Sequence, residues 1–148
     1  MEQQFVGEHL FPGQLGNIFV ILSFVAAMLA TFSYYKASRE HPLSDSWKRI
    51  ARIAFRLHSV GVLGIIGTLF YLLINQYFEY HYVWFHSNTE MPMRYVLAAF
   101  WEGQEGSFLL WTFWHVVLGN ILIRTAKTWE APVMTVFSSV QAFLSTMV

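Results

Sequence analysis

Two carboxylates and a histidine stand in an apolar stretch that is long enough to cross a membrane. Glu102 and Glu105 lie three residues apart near its start, and His115 follows ten residues after Glu105. A charge at the centre of a membrane helix costs roughly 2.5 kcal/mol or more, so such residues commonly serve a cavity, a partner or a function. Gly103 and Gly106 thin the helix at this level, which could admit a bulky flat group or a neighbouring helix. The carboxylates could gate a cation, a proton or a cationic ligand; the alternative is a solvated pair favoured by the positive end of the helix dipole.

His115 is predicted to lie about 15 Å deeper than Glu105, at 1.5 Å per residue. A histidine at mid-span is a candidate for a proton relay or a haem ligand. The alternative is a neutral ring that is hydrogen-bonded to a serine or threonine on a neighbouring helix. The sequence predicts no second histidine at mid-span, so a bis-histidine haem site is not expected.

The composition places the chain among membrane proteins. Of its 148 residues, 55% are hydrophobic and 12% are charged, which is far from the balance of a soluble domain. The chain has no cysteine, which excludes disulfides, cysteine metal sites, thiol catalysis and covalent attachment of haem to this chain. No phosphate-binding glycine loop, metalloprotease motif or serine triad is present, and the sequence predicts no metal site.

Four apolar segments predict an all-α fold, a polytopic membrane helix bundle with about four transmembrane helices, because one span needs about 20 residues. The segments cover approximately residues 15–35, 58–78, 97–123 and 131–148, within a single membrane domain over residues 1–148. The last segment is still apolar at Val148. We therefore expect a truncated fourth span and a chain that is part of a longer polypeptide.

The distribution of basic residues predicts the orientation of the bundle. Six of the nine Lys and Arg residues lie in the connection from Lys36 to Arg56, whereas the first fourteen residues contain none. Lys and Arg in short loops remain on the cytoplasmic side, so the N-terminus is expected outside. Glu2 and Glu8 replace the basic region that a signal peptide would carry, and we interpret the first apolar segment as a membrane span.

The residues from Tyr82 to Trp111 read YVWFHSNTEMPMRYVLAAFWEGQEGSFLLW. This stretch resembles the N-terminal region of the CcmF/CcsA family of cytochrome c assembly proteins, in which an outer His-Ser-Asn precedes a Pro and a Tyr. A span then opens with Trp-Gly-Gly-x-Glu-Gly-Ser-x-Leu-Leu-Trp. Glu102 stands where the family more commonly has Gly. The residues that match, and that we take as functional candidates, are His86, Asn88, Trp101, Gly103, Glu105, Gly106, Ser107 and Trp111.

The resemblance implies a role in cytochrome c-type biogenesis in the bacterial cytoplasmic (inner) membrane, with the N-terminus in the periplasm. It implies a membrane haem lyase that receives haem from a carrier protein and attaches it to apocytochrome c, together with other maturation subunits. The family's tryptophan-rich haem-handling motif and its haem-ligand histidines lie further along a much longer chain. Haem is therefore implied by the family, but no ligand and no catalytic residue is assigned here, and this chain alone is not expected to be an active lyase.

Two other functions remain open from the residues alone. Glu102, Glu105 and His115 could form a proton or ion pathway along one helix. The chain could also be a structural subunit of a membrane redox complex, which only the composition supports. None of these readings involves nucleic acid.

Overall fold

The computed structural model describes residues 9–39 and 42–148, and in this part of the chain every regular element is helical. The all-α prediction is therefore confirmed. Glu2 and Glu8, used above to argue against a signal peptide, lie outside the described residues. The helices are α1 (Leu10–Arg39), α2 (Ser44–Ile74), α3 (His81–His86), α4 (Met93–Ala98), α5 (Gln104–Thr125) and α6 (Glu130–Leu144), with short 3₁₀ turns at Ala99–Trp101 and Lys127–Trp129.

Among the described residues, three helices are long and apolar enough to cross a membrane. These are α1, α2 and α5, with 30, 31 and 22 residues, which agrees with a multi-pass membrane bundle. The helical part of α6 has 15 residues, or about 22 Å at 1.5 Å per residue, whereas the hydrocarbon core is about 30 Å thick. A fourth span over residues 131–148 therefore stays a prediction.

The four longest helices, α1, α2, α5 and α6, alternate in direction along the chain and pack around two apolar clusters. We call the end of the bundle that holds residues 75–103 the motif end, and the opposite end, which holds residues 36–56, the basic end. Alanines dominate the cluster near the basic end, which lets the helix backbones approach closely. That cluster contains Ala30, Tyr34, Ala37, Ala51, Ala54, Phe55, Ala131 and Met134. The cluster at the motif end contains Val62, Leu72, Leu73, Val83, Val96, Ala99, Phe100, Leu109 and Val116.

Helix α2 begins well before the span predicted at residue 58. It is continuous from Ser44, because residues ahead of the predicted span also have an apolar buried side: Ala51, Ala54 and Phe55 are fully buried. As a result His58 lies near the middle of a long helix. The bounds of the span within α2, and with them the expectation that the chain has no second mid-span histidine, stay predictions.

The stretch predicted as one span over residues 97–123 is interrupted. Helix α4 ends at Ala98, a 3₁₀ turn follows, and α5 begins only at Gln104, after Gly103 in an extended conformation (φ −80°, ψ 159°). Glu102 thus precedes the long helix, and Glu105 alone lies in its first turn. The prediction that both carboxylates stand within the first two turns of one helix is corrected.

A buried ion pair joins three helices at the basic end. Glu130, the first residue of α6, is only 2% exposed. Arg52 donates to both of its carboxylate oxygens, from Nε at 2.7 Å and from Nη2 at 2.5 Å, and the hydroxyl of Tyr34 donates to Oε1 at 3.3 Å. A two-pronged arginine–carboxylate pair of this kind is among the stronger polar contacts in proteins. It fixes α6 against α1 and α2.

Candidate functional site

At the motif end, residues 99–106 form the turn that leads into α5, and Tyr82 of α3 packs against this turn. We call residues 99–106 together with Tyr82 the junction. The Tyr82 hydroxyl lies 2.9 Å from the carbonyl oxygen of Phe100 and 3.2 Å from that of Ala99, and donates to them. Because the backbone leaves helical geometry at Gly103, carbonyls just before this point need partners outside a continuous helix. Tyr82 therefore stabilises the break that precedes α5.

Gly103 and Gly106 provide the space that the Tyr82 ring occupies. A Cβ at Gly103 would lie 2.6 Å from Cε2 of Tyr82, and a Cβ at Gly106 would lie 2.8 Å from the Tyr82 hydroxyl. At Gly106 the added carbon would also overlap the backbone carbonyl of Phe100. The sequence predicted that these glycines could admit a flat group, and in the structure the space is taken by an aromatic ring of this same chain.

Replacement of Tyr82 by phenylalanine is expected to lower the free energy of unfolding by about 1–2 kcal/mol, because the Phe100 carbonyl loses its donor. Burial raises the pKa of Tyr82, and the nearby charges of Glu105 and Glu102 add to this effect. The folded state therefore holds the phenolic proton more tightly than the unfolded state does. The contribution of this group is complete below pH about 10 and is lost as the pH rises further.

The measurement is chemical unfolding in detergent at pH 8 and above pH 10. We expect the difference in stability between the wild type and Tyr82→Phe to narrow at the higher pH. Tyr95→Phe is the matched control, because Tyr95 is 52% exposed. Equal effects of the two substitutions, with no change between the two pH values, would contradict a bonding role for the Tyr82 hydroxyl.

Glu105 lies at the rim of a cavity of about 400 Å³ between α1, α2 and α5. Its side chain is exposed and forms no ion pair with any described residue. The cavity is mainly apolar, and a few polar groups contribute to its lining. Its lining includes Asn17, Val20, Ile65, Leu69, Tyr80, His81, Tyr82, Glu105 and Leu109.

Glu102 faces a different part of the surface. It is exposed and borders a separate hollow with Met91, Tyr95 and Ala98. The two carboxylates therefore do not share a site. Their spacing of three residues would align them on a continuous helix, but the helix is broken between them at Gly103. In this geometry Glu105 lines a cavity that Glu102 does not reach.

Hydrogen bonds hold the first turn of α1 beside this cavity. The hydroxyl of Tyr80 donates to the backbone carbonyl of His9 and accepts from the backbone N–H of Gly13 at 3.0 Å. The backbone N–H of His9 donates to Glu79 at 2.7 Å, and this bond lowers the pKa of the Glu79 carboxyl. The cavity rim is thus built from contacts between residues about 70 positions apart.

Three further candidate residues lie just before α5 or in its first half. Ser107 forms hydrogen bonds to the backbone, whereas the rings of Trp101 and Trp111 are exposed. Ser107 donates to the carbonyl oxygens of Gly103 at 3.2 Å and Trp101 at 3.3 Å. The indole of Trp101 packs edge-on against Phe100 and is 46% exposed, while Trp111 is 60% exposed. Ser107 therefore reinforces the helix start, and the two tryptophans present aromatic surface outward.

His86 and Asn88 brace the connection that carries Tyr82. The Nδ1 of His86 lies 2.9 Å from the carbonyl oxygen of Tyr82, which makes it the donor, and its ring packs against the Tyr82 ring at 4.3 Å between centroids. Asn88 accepts from the side chain of Gln76 at 3.1 Å and from the backbone N–H of Glu90 at 3.1 Å. These contacts assign both residues to the support of the junction.

His115 lies apart from the junction, deeper along α5. Its ring stacks on Phe137 at 5.0 Å, and its Nδ1 is buried with no hydrogen-bond partner among the described residues. No hydrogen bond links it to Glu105 in the described part of the chain. A hydrogen bond to a serine on a neighbouring helix, which was the alternative considered for His115, is formed by His58, whose Nδ1 lies 3.0 Å from the hydroxyl of Ser23.

The described residues do not fit a haem-ligand set. His58 and His115 line neither the cavity beside Glu105 nor the hollow beside Glu102, and His81 is the one imidazole at the rim of the former. A single exposed ring gives no axial pair.

Sequence reasoning missed four of the important side chains. Tyr82 and Tyr80 contact segments that are distant in the sequence. Glu130 and His58 are buried between helices, and no local sequence pattern predicts this burial. One signal was available for Glu130, since a carboxylate at the start of an apolar run has the same form as Glu105 at the start of α5.

Comparison with known proteins identifies relatives in cytochrome c-type biogenesis. No protein-family model matches the chain. It is 33% identical over 107 residues to the cytochrome c-type biogenesis protein CcmF of Haemophilus influenzae, covering 66% of this chain and 15% of that protein. It is 44% identical over 48 residues to NrfE of the same organism, covering 32% of this chain and 8% of that protein.

The CcmF of Pseudomonas fluorescens is 29% identical over 111 residues, covering 75% of this chain and 16% of that protein. In fold, the chain is similar to a solved structure of the cytochrome c haem lyase CcmF, with a TM-score of 0.82 and 22% identity. That match covers 99% of this chain and 24% of the lyase. The chain therefore spans a minor part of the length of each relative.

Proposed function

Because the chain is CcmF-like in both sequence and fold, we propose that it serves cytochrome c-type biogenesis as part of a membrane haem lyase. The observation that carries this proposal is the motif from Trp101 to Trp111. Its residues build the junction at the motif end, in a fold similar to that of the haem lyase over nearly the whole chain.

We place the basic end in the cytoplasm and the motif end, with the N-terminus, at the outer face of the bacterial inner membrane. Support comes from the charges, because six of the nine basic residues lie between Lys36 and Arg56 and such residues remain cytoplasmic. In this orientation Glu105 and Tyr82 face the side on which haem is attached to apocytochrome c.

In this proposal haem is the substrate, delivered by a carrier protein, and supplies the vinyl groups that form thioethers with the acceptor's cysteines. No described residue is assigned as a haem ligand. Tyr82, Gly103 and Gly106 hold the junction, while Glu105 and Trp101 present a carboxylate and an indole at its surface. The partners of the chain are the haem carrier, apocytochrome c, other maturation subunits and the lipid bilayer.

Glu105→Ala is expected to lower covalent c-type haem roughly tenfold, because a contact to a charged group contributes about 1.5 kcal/mol. The measurement is haem staining after denaturing electrophoresis, in cells that carry the variant in the natural protein at normal levels. Glu90→Ala is the control, since Glu90 is also an exposed carboxylate of the motif end but lines no part of the cavity. Staining as strong as with the control would remove Glu105 from the proposed function.

The proton-pathway function makes a different prediction for the same carboxylate. Glu105→Gln would then abolish proton flux or conductance in vesicles while cytochrome c maturation stays intact. The structure offers this reading less support, because Glu102 precedes α5 and no described hydrogen bond links Glu105 to His115. A purely structural subunit of a redox complex would co-purify with that complex and change neither activity.

A further inference from the structure

Helices α2 and α5 lie side by side in a register that two contacts fix. The side-chain amide of Asn120 donates to the hydroxyl of Ser59 at 3.0 Å. The ring of Phe55 packs so closely on Gly119 that a Cβ added there would overlap it. Because the helices run in opposite directions, the residues just before Ser59 lie beside the residues just after Asn120.

This register places two arginines on either side of the outer groove between α2 and α5. Arg56 precedes Ser59 by three residues and Arg124 follows Asn120 by four, so each lies about one turn nearer the basic end, on the side of its helix that carries the hydrogen bond. Both arginines are exposed. Neither forms an ion pair with any residue that the structure describes.

The two helices provide no acidic residue to neutralise these arginines. Helix α2 has none after Asp45, and α5 has none after Glu105, which lies at the opposite end of the bundle. Glu130, at the start of α6, is bound by Arg52. Since a guanidinium group keeps its charge in proteins, the groove is complementary to an anion from outside the chain.

Toward the motif end, the same two helices enclose an apolar cavity of about 230 Å³. Aromatic and aliphatic side chains form its lining: Ile66, Phe70, Phe100, Trp101, Leu110 and Phe113. The rings of Phe70 and Phe100 stack at 4.4 Å between centroids. One end of the groove is therefore positively charged, and the other end is suited to hydrocarbon.

The distance between these two ends corresponds to the depth of one membrane leaflet. On α2, Ile66 and Phe70 follow Arg56 by ten and fourteen residues, or about 15 and 21 Å at 1.5 Å per residue. On α5, Arg124 follows Leu110 by fourteen residues. Half of the hydrocarbon core is about 15 Å thick, so an acyl chain that starts at the arginines reaches the cavity.

Arg56 also borders the uncharged part of α2. The residues from Leu57 to Ile74 contain no Asp, Glu, Lys or Arg. A long basic side chain at such a border extends its charged group toward the headgroup layer while its stem lies along apolar surface. This is the layer in which lipid phosphates lie.

We propose that the groove between α2 and α5 binds one anionic phospholipid. The guanidinium groups of Arg56 and Arg124 donate to its phosphate oxygens, and one acyl chain enters the cavity beside Phe70 and Leu110. A second copy of this chain is disfavoured as the occupant, because it would bring its own arginines to the same level. The site does not depend on the proposed function.

Native mass spectrometry of the natural protein, released from detergent and titrated with lipid, tests the charged end. Dipalmitoyl phosphatidylglycerol should bind about tenfold more tightly than phosphatidylcholine with the same chains, and Arg56→Gln or Arg124→Gln should each weaken its binding about tenfold. Arg39→Gln is the control, since it removes an exposed arginine from the same end of the bundle but from α1.

Three results would overturn the proposal. Equal affinity for the two lipids would show that the headgroup charge is not recognised. An equal loss with Arg39→Gln would show a diffuse attraction to the basic end rather than a site. Displacement of the bound lipid by excess inorganic phosphate would show that the groove binds the free anion and not a lipid.

A pair of tryptophan variants tests the apolar end. Leu110→Trp fills the cavity and should weaken the binding of dipalmitoyl phosphatidylglycerol roughly tenfold, as the loss of about two buried methylene groups would. The binding of the dihexanoyl lipid, whose chains are too short to reach the cavity, should not change. Leu118→Trp is the control, because Leu118 is 49% exposed and lines no part of the cavity. Unchanged binding of the long-chain lipid to Leu110→Trp would overturn the proposal.

Discussion

Gly106→Ala is expected to lower the free energy of unfolding by about 3 kcal/mol, because overpacking in a well-packed region costs about that much. The added Cβ would overlap the backbone carbonyl of Phe100 and approach the hydroxyl of Tyr82 at 2.8 Å. Neither neighbour is the free end of a flexible side chain, since one is backbone and the other is held by hydrogen bonds to Phe100 and Ala99. The first turn of α5 and the side chain of Tyr82 must therefore both move to accommodate the added carbon.

Gly67→Ala is the matched control for this prediction. Gly67 is also helical, but a Cβ there would meet nothing within 4 Å, and alanine in a helix is favoured over glycine by about 1 kcal/mol. Denaturant titration followed by circular dichroism in detergent should thus give opposite signs for the two variants. A stability gain at Gly106 equal to that at Gly67 would contradict the packing described for the junction.

Glu130→Ala is expected to lower the free energy of unfolding by about 3 kcal/mol. Loss of one partner from a buried ion pair costs about 3–5 kcal/mol, and the lower end applies because the side chain of Arg52 is 43% exposed. Tyr34, which is fully buried, would lose the acceptor of its hydroxyl as well. The α6 helix would then be held mainly by apolar contacts.

A double-mutant cycle separates this contact from general effects of the substitutions. Once Glu130 is absent, Arg52→Ala should cost little more, so the double variant should be about as stable as Glu130→Ala. Glu90→Ala, at an exposed carboxylate, should change stability by less than about 0.5 kcal/mol. Strictly additive effects of the Arg52 and Glu130 substitutions would contradict the ion pair.

The sequence predicted the fold class because apolar runs of span length have few structural alternatives. It could also indicate the motif from Trp101 to Trp111, since the spacing of its residues is local. It could not predict that Gly103 and Gly106 accommodate Tyr82, because that contact joins segments about 20 residues apart with a helix break between them. The aligned pair of Glu102 and Glu105 was an error of the same kind, since it assumed an unbroken helix.

Burial between distant helices was equally inaccessible from local patterns. Arg52 counted as one of six basic residues at the basic end, and nothing near it in the sequence indicated a partner 78 residues away. His58 was taken as the boundary of a span, whereas α2 is continuous from Ser44 and its buried side packs with residues of α1 and α6. Local periodicity identifies the helices, whereas their partners are set by tertiary contacts.

Covalent c-type haem in cells that lack this chain is the most direct test of the proposed function. We expect haem staining of c-type cytochromes to disappear when the gene is deleted from its host and to return when the wild-type protein is supplied from a plasmid. Undiminished staining in the deletion strain, with the apocytochromes present at normal levels, would contradict a role in cytochrome c maturation.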